Sequence, residues 1–154
     1  TDLFLYCAAR NENIENIIKK NYGKKIILID RFVDSTVAYQ HYGMGINLKV
    51  IKLINKFLLD NVKINFTFLN IVSPKNLKWR LSKRKKLDRY DKFDINFYNK
   101  VQKGYMKLAS ENKKKYVIID SNNKKSINQK KIINKINKII KWTQNPRLKQ
   151  NYMD

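Results

Sequence analysis

The stretch Asp30-Arg31-Phe32-Val33-Asp34-Ser35-Thr36-Val37-Ala38-Tyr39-Gln40 decides the fold because of what precedes it. Lys25-Ile26-Ile27-Leu28-Ile29 is short, apolar and β-branched, which predicts a strand buried on both faces with Asp30 and Arg31 at its carboxyl end. In an open α/β sheet, ligands sit at that end. An acidic group beside a guanidinium there suits a metal-bound phosphate. The carboxylate faces the cation or its waters, and the planar fork grips phosphate oxygens. A local ion pair closing a turn is the other reading of the same two residues.

Upstream, residues 3–21 carry Tyr6, Ile14, Ile17 and Ile18 among the apolar positions of a helix, with Gly23 where a helix commonly stops. Tyr6 and Arg10 are four apart and share one face. A ring and a guanidinium so placed could stack on a base and bond its edge, or could be a half-buried Tyr beside a solvated Arg.

Downstream, His41-Tyr42-Gly43-Met44-Gly45 reads as a turn-rich connection, with His41 a loop residue that has no nominated acid–base partner. Over residues 47–59, Leu48, Ile51, Ile54 and Leu58 form one apolar stripe with Lys49, Lys52 and Lys56 off it, which predicts a packing helix. Residues 64–71 predict a second strand, and Ser73-Pro74 opens a helix with Ser as cap and Pro at the first helical position.

That helix leads into a cationic run over 80–91 closed by Asp88 and Asp91. Such a run is either a solvated helix end or a flap whose cations neutralise a transferring phosphoryl group. Phe97, Val101, Tyr105 and Leu108 then predict an amphipathic helix over 94–110. Residues 116–120 predict a third buried strand, with the loop Asp120-Ser121-Asn122-Asn123 on the ligand edge. Ser126 and Gln129 have capping-box spacing ahead of a last helix carrying Ile132, Ile133, Ile136, Ile139 and Ile140. The alternation predicts one α/β domain with a parallel sheet over 1–142 and a polar tail over 143–154.

Lys and Arg number 34 against 12 Asp and Glu, a net charge of +22, yet only six of the cations are Arg. Specific readers of bases favour Arg with interleaved aromatics, so a Lys, Asn and Ile excess spread along the whole chain argues for compositional drift rather than a dedicated nucleic-acid footprint. The basic field still draws in anionic nucleotides. The single Cys7 forbids an internal disulfide, fits a reducing compartment and reads as a small core residue. No apolar run reaches the roughly 18 residues that span a bilayer and no signal-peptide pattern opens the chain, so the expectation is a cytoplasmic protein without a membrane partner. The chain opens on Thr1, directly in a predicted helix, which predicts a missing amino-terminal part.

With these residues in view, the chain resembles the bacterial thymidylate kinase family from about residue 3 to 141. The pieces that carry the resemblance are Tyr6-Cys7-Ala8-Ala9-Arg10, then Asp30 to Ser35 with Ala38-Tyr39-Gln40, then Leu87-Asp88-Arg89-Tyr90-Asp91. Phe97, Val101-Gln102-Lys103-Gly104-Tyr105 and Val117-Ile118-Ile119-Asp120 follow in the family's order. The resemblance implies a P-loop NTPase fold, a nucleoside monophosphate kinase-like three-layer α/β sandwich with a parallel sheet. The implied activity is transfer of the γ-phosphate of ATP to dTMP, with magnesium, in a homodimer.

Carried over position by position, Tyr6 would stack on thymine and Arg10 would contact the base edge. Arg31 would hold the dTMP phosphate, and Asp30 would serve the magnesium or its waters. Thr36, Tyr39 and Gln40 would line the thymine and deoxyribose pocket, with Tyr39 excluding a 2′-hydroxyl. Arg80, Arg84 and Arg89 fall in or beside the family's lid, whose arginines reach the ATP phosphates. Tyr90 and Asp91 match lid positions that close over the acceptor, and the loop after Asp120 would lie near the adenine.

The departures are as informative. No Gly-x-x-x-x-Gly-Lys-Ser/Thr phosphate loop occurs in the 154 residues, and the family keeps that loop, with its strand and helix, upstream of Tyr6. The expectation is therefore the carboxyl-terminal two-thirds or more of such an enzyme, lacking the central P-loop strand and inactive by itself. Gln102 stands where members often carry Arg, and Asp91 is one methylene shorter than the usual Glu. Another nucleoside monophosphate kinase of this fold, a non-catalytic basic module that binds nucleic acid, and a remnant without function are the competing readings.

Overall fold

The computed structural model describes residues 2–86 and 93–144. Helix α1 (Asp2–Asn13) passes through a wide π-helical turn, Ile14–Ile18, into α2 (Lys19–Asn21). It ends where expected, at Gly23, whose φ of +74° is a left-handed value that glycine adopts without steric cost.

Segment 25–29 forms no strand, which corrects the first expectation. Ile26 and Leu28 are 63% and 78% exposed, and Ile29 is exposed as well. A short apolar run becomes a buried strand only when a neighbouring strand satisfies its N–H and C=O groups and other layers cover its faces. Among the described residues nothing offers segment 25–29 such a ladder.

The sheet described consists of two parallel strands, β1 (Thr67–Ile71) and β2 (Tyr116–Asp120), in register from Thr67 opposite Tyr116 to Ile71 opposite Asp120. Strand β1 begins three residues later than the sequence predicts. Parallel partners require a crossover. Here it contains α5 (Pro74–Ser82), α6 (Ile95–Glu111) and a 3₁₀ turn, Lys113–Lys115. Their starts follow from local chemistry: the Ser73 side chain accepts from the Asn76 N–H, and the Asp94 side chain from the Phe97 N–H. Asn47 caps α4 (Leu48–Leu59) in the same way, through the Lys49 N–H. The last helix, α7 (Lys125–Gln144), starts one residue ahead of the Ser126 proposed as its cap.

The quoted stretch is the hub of the packing. Helix α3 (Val33–Thr36) continues directly into a π-helical segment, Val37–Gly43, so His41 is helical rather than in a loop. Its Nδ1 lies 2.8 Å from the Ile46 carbonyl oxygen. Successive residues on a helix point about 100° apart, and Val37 and Ala38 enter two different cores. Val37 joins Leu3, Cys7, Ile14, Ile18, Ile51 and Leu58, where α1 and α4 meet. Ala38 joins Phe97 and Val101 of α6. Burial of a single such aliphatic side chain contributes about 1.5–3 kcal/mol, and Ile14 and Ile51 are both wholly buried.

Contact on the α6 side is close enough to need glycine. A Cβ built on Gly104 would meet the Tyr42 ring at 2.5 Å, and one on Gly43 would meet Phe97 at 2.6 Å.

Candidate functional site

The backbone puts the strain at the predicted phosphate contact. Arg31 has a φ of +58°, in the left-handed region, and it is not a glycine. A residue held there costs about 1–2 kcal/mol and persists only where its surroundings over-determine it. The following residues supply that determination. Phe32 caps α3 with its carbonyl, which accepts from the Ser35 N–H at 3.0 Å and from Arg10 Nη2 at 3.3 Å. The Arg10 guanidinium also lies 5.7 Å from the Phe32 ring centroid. The predicted base-edge arginine is thereby tied to the turn that carries Arg31.

Tyr6, Arg10, Asp30 and Arg31 line one cavity of about 360 Å³, together with Asn13, Phe32 and the apolar side of segment 27–29. Four of the sequence-predicted site residues are therefore together although up to 25 positions separate them. Thr36 and Gln40 are each only 2% exposed and are not among the residues that line this cavity. Tyr39 carries Arg31, whose guanidinium carbon is 5.2 Å from its ring centroid. Tyr39 in turn meets Phe97 and Tyr105 edge to face, at 6.0 and 6.4 Å. A larger cavity, between α1 and α4, contains none of the predicted site residues.

Electrostatics follow the geometry. Burial lowers the pKa of Arg10, an effect that Cys7 and Asp34 oppose. Desolvation works against the charge of Arg31 as well, but the Tyr39 and Tyr105 hydroxyls and the Asp30 carboxylate outweigh it and raise its pKa. Burial likewise raises the Cys7 thiol and the Tyr105 phenol.

Among the described residues, three buried side-chain polar atoms have no hydrogen-bond partner: Arg10 Nη1, Thr36 Oγ1 and Asn55 Oδ1. A buried polar atom left unpaired costs about 1–3 kcal/mol. Two of the three belong to residues that sequence reasoning assigned to the base.

Arg80 and Arg84 lie apart from this cavity, at the end of α5 and just beyond it, both on the exposed surface. Arg80 Nη2 donates to the Ser121 carbonyl at 2.6 Å. Asn122 Oδ1 accepts from the Ser73 N–H and from Asn76 Nδ2, so the loop after β2 is tied to both ends of α5. Gln102 Oε1 accepts from the Val72 N–H at 3.1 Å and supports the end of β1. Arg89, Tyr90 and Asp91 lie outside the described residues.

Sequence reasoning gave no role to the side chains that brace the site. The Tyr105 hydroxyl donates to Ser35 Oγ at 2.7 Å and the Tyr116 hydroxyl to Asp34 Oδ2 at 2.5 Å. Both tyrosines occupy positions whose spacing signals only packing. Their polar tips become partners through contacts 70 and 82 positions apart.

Among the described residues no three His, Cys, Asp or Glu side chains form a metal cluster, and no helix is long and apolar enough to cross a membrane. A magnesium ion that keeps its waters and takes phosphate oxygens needs only one or two carboxylates. Asp30, exposed at the mouth of the Arg31 turn, fits that mode of binding.

Comparison with known proteins places the chain in a family. The thymidylate kinase family model matches residues 1–132. The chain is 38% identical over 120 residues to the thymidylate kinase of Sulfurihydrogenibium sp., covering 77% of this chain and 58% of that protein. It is 37% identical over 144 residues to the thymidylate kinase of Mycoplasmopsis pulmonis, covering 91% and 60%. The crystal structure of thymidylate kinase from Ehrlichia chaffeensis superposes with a TM-score of 0.68 at 28% identity, covering 88% of this chain and 63% of that one. The chain thus spans about three-fifths of the length of these relatives. A strained Arg31 turn and a cavity shared by Tyr6, Arg10, Asp30 and Arg31, on a chain matched over most of its length, make it a member of the thymidylate kinase family.

Proposed function

We propose that the full-length protein bearing this chain phosphorylates dTMP to dTDP with ATP, and that the residues described here form the acceptor half of its site. The observation that carries this reading is the buried, unpartnered Arg10 Nη1, on a residue that lines the same cavity as Tyr6, Asp30 and Arg31. A thymine edge, with its carbonyl acceptors, is a ligand that the guanidinium could pair with. Tyr6, half exposed at the cavity wall, offers a ring on which a base can stack.

Arg31 would grip the acceptor phosphate. Its left-handed backbone turns the side chain over Tyr39, so the guanidinium is oriented before the nucleotide arrives. Tyr39 and Gln40 would close the sugar side, with Tyr39 disfavouring a ribose 2′-hydroxyl. Magnesium, when bound with ATP, supplies charge neutralisation between the phosphates, and Asp30 would hold it through its waters. Arg80, Arg84 and Arg89 would approach the ATP phosphates from the lid side, with Tyr90 and Asp91 closing over the acceptor. Phosphoryl transfer asks little covalent chemistry of a protein, so positioning and charge neutralisation account for nearly all of this division of labour.

We also read the protein as a homodimer acting in the cytoplasm. The exposed row Val50, Leu53 and Phe57 on α4 supports a protein partner, since apolar side chains at that spacing form one continuous strip. A coupled assay of the full-length protein with ATP and a panel of nucleoside monophosphates tests the reading. Turnover of dTMP at least about 10-fold above dUMP, dCMP, dGMP and UMP is expected. Preference for another monophosphate, or none for any, overturns it.

A further inference from the structure

We propose that Asp34 and Tyr116 are a positioning pair for Arg31, a role that rests on the acceptor-site reading above. Four consecutive residues after Arg31 are each held by a different element. The Phe32 carbonyl is held by Arg10 of α1, and the Val33 carbonyl by Asn55 Nδ2 of α4 at 3.5 Å. The Asp34 carboxylate is held by Tyr116 of β2, and the Ser35 hydroxyl by Tyr105 of α6. Turns are not braced at every position by chance contacts, because each brace orders two side chains.

Among the four, the Asp34 contact dominates. It is an O–H to carboxylate bond of 2.5 Å, whereas the charge-assisted contact of Arg10 is 3.3 Å and the 3.5 Å contact of Asn55 is at the long limit of a hydrogen bond. It is also the brace that ties the turn to the sheet, at the strand residue paired with Thr67. The Asp34 charge also favours the charged form of Arg10 against the effect of burial. Burial and Asp34 together push the Tyr116 phenol well above its ordinary range, which keeps it a donor at any physiological pH. Without this bond the first turn of α3 can rotate, and Arg31 can relax from its left-handed φ toward the common right-handed region.

The test compares variants of the full-length protein. Tyr116→Phe keeps the ring and removes the donor. It should lower kcat/KM for dTMP by about 10-fold, as sub-ångström misplacement of a phosphate-gripping group does, with KM for ATP unchanged. Asp34→Ala should match that loss, and the double variant should be no worse than either single one. Asp34→Asn keeps an acceptor oxygen and should recover activity to within about 3-fold of wild type.

Wild-type kcat/KM for dTMP in Tyr116→Phe, or losses that multiply in the double variant, overturn the pairing. Parallel loss of ATP and dTMP affinity with a lowered Tm means a merely structural bond and also overturns it. A wild-type protein that turns over another monophosphate and ignores dTMP removes the acceptor reading, and this inference with it.

Discussion

The two sides of this site are built differently. The acceptor side, residues 30–43, touches both cores through Val37 and Ala38 and is braced from α1, α4, α6 and β2. The side that would face ATP rests on α5, which has no buried residue, and on a loop held by surface hydrogen bonds from Ser73, Asn76 and Arg80. On the proposed reading, dTMP would meet side chains already held by four elements, so less ordering would be left for binding to do. The difference is one of support: residues 30–43 are packed and braced, whereas α5 and the loop after β2 are joined by surface hydrogen bonds.

The comparison can be broken at its strongest point. Arg31→Ala in the full-length protein should reduce dTMP turnover by about 10³-fold, the scale of a phosphoryl-gripping arginine, with Tm within a few degrees of wild type because Arg31 is exposed. A coupled assay beside a thermal melt reads both, and near-normal turnover would show that the strained turn serves folding alone.

A smaller effect tests the packing that holds the acceptor side in place. Gly104→Ala forces a Cβ against the Tyr42 ring at 2.5 Å, and overpacking of this kind costs about 1–3 kcal/mol. Urea unfolding should register the loss. An unchanged midpoint would mean that the contact between α6 and the π-helical segment is loose, and that the acceptor side is no more rigid than the lid side.

The mildest prediction concerns α5. Arg80→Ala should leave stability and KM for dTMP unchanged while raising KM for ATP by roughly 3- to 10-fold, as loss of one exposed phosphate-facing cation does. A matching rise in KM for dTMP would erase the distinction between the two sides.

Much of this was legible in residue order. Ser73-Pro74 announces a helix start because capping is a contact between near neighbours. The stripe Leu48, Ile51, Ile54 and Leu58 reports a helix face because its period is set by local geometry. Tyr6, Arg10, Asp30 and Arg31 were nominated by motif, and all four line one cavity.

Segment 25–29 misled because composition predicts a wish to be buried, and only a neighbouring strand can grant it. The π-helical turns at Ile14–Ile18 and Val37–Gly43 also escaped notice. An extra residue in a turn shifts the faces without leaving a mark in the sequence.

The sequence by itself determined most of the helices, the two strands and the membership in a kinase family, since each rests on short-range pattern or on motif order. Only the tertiary structure decided the left-handed turn at Arg31 and the four braces that hold it. Those depend on side chains 22 to 82 positions away from the residues they grip, and no local preference of the chain encodes such a meeting.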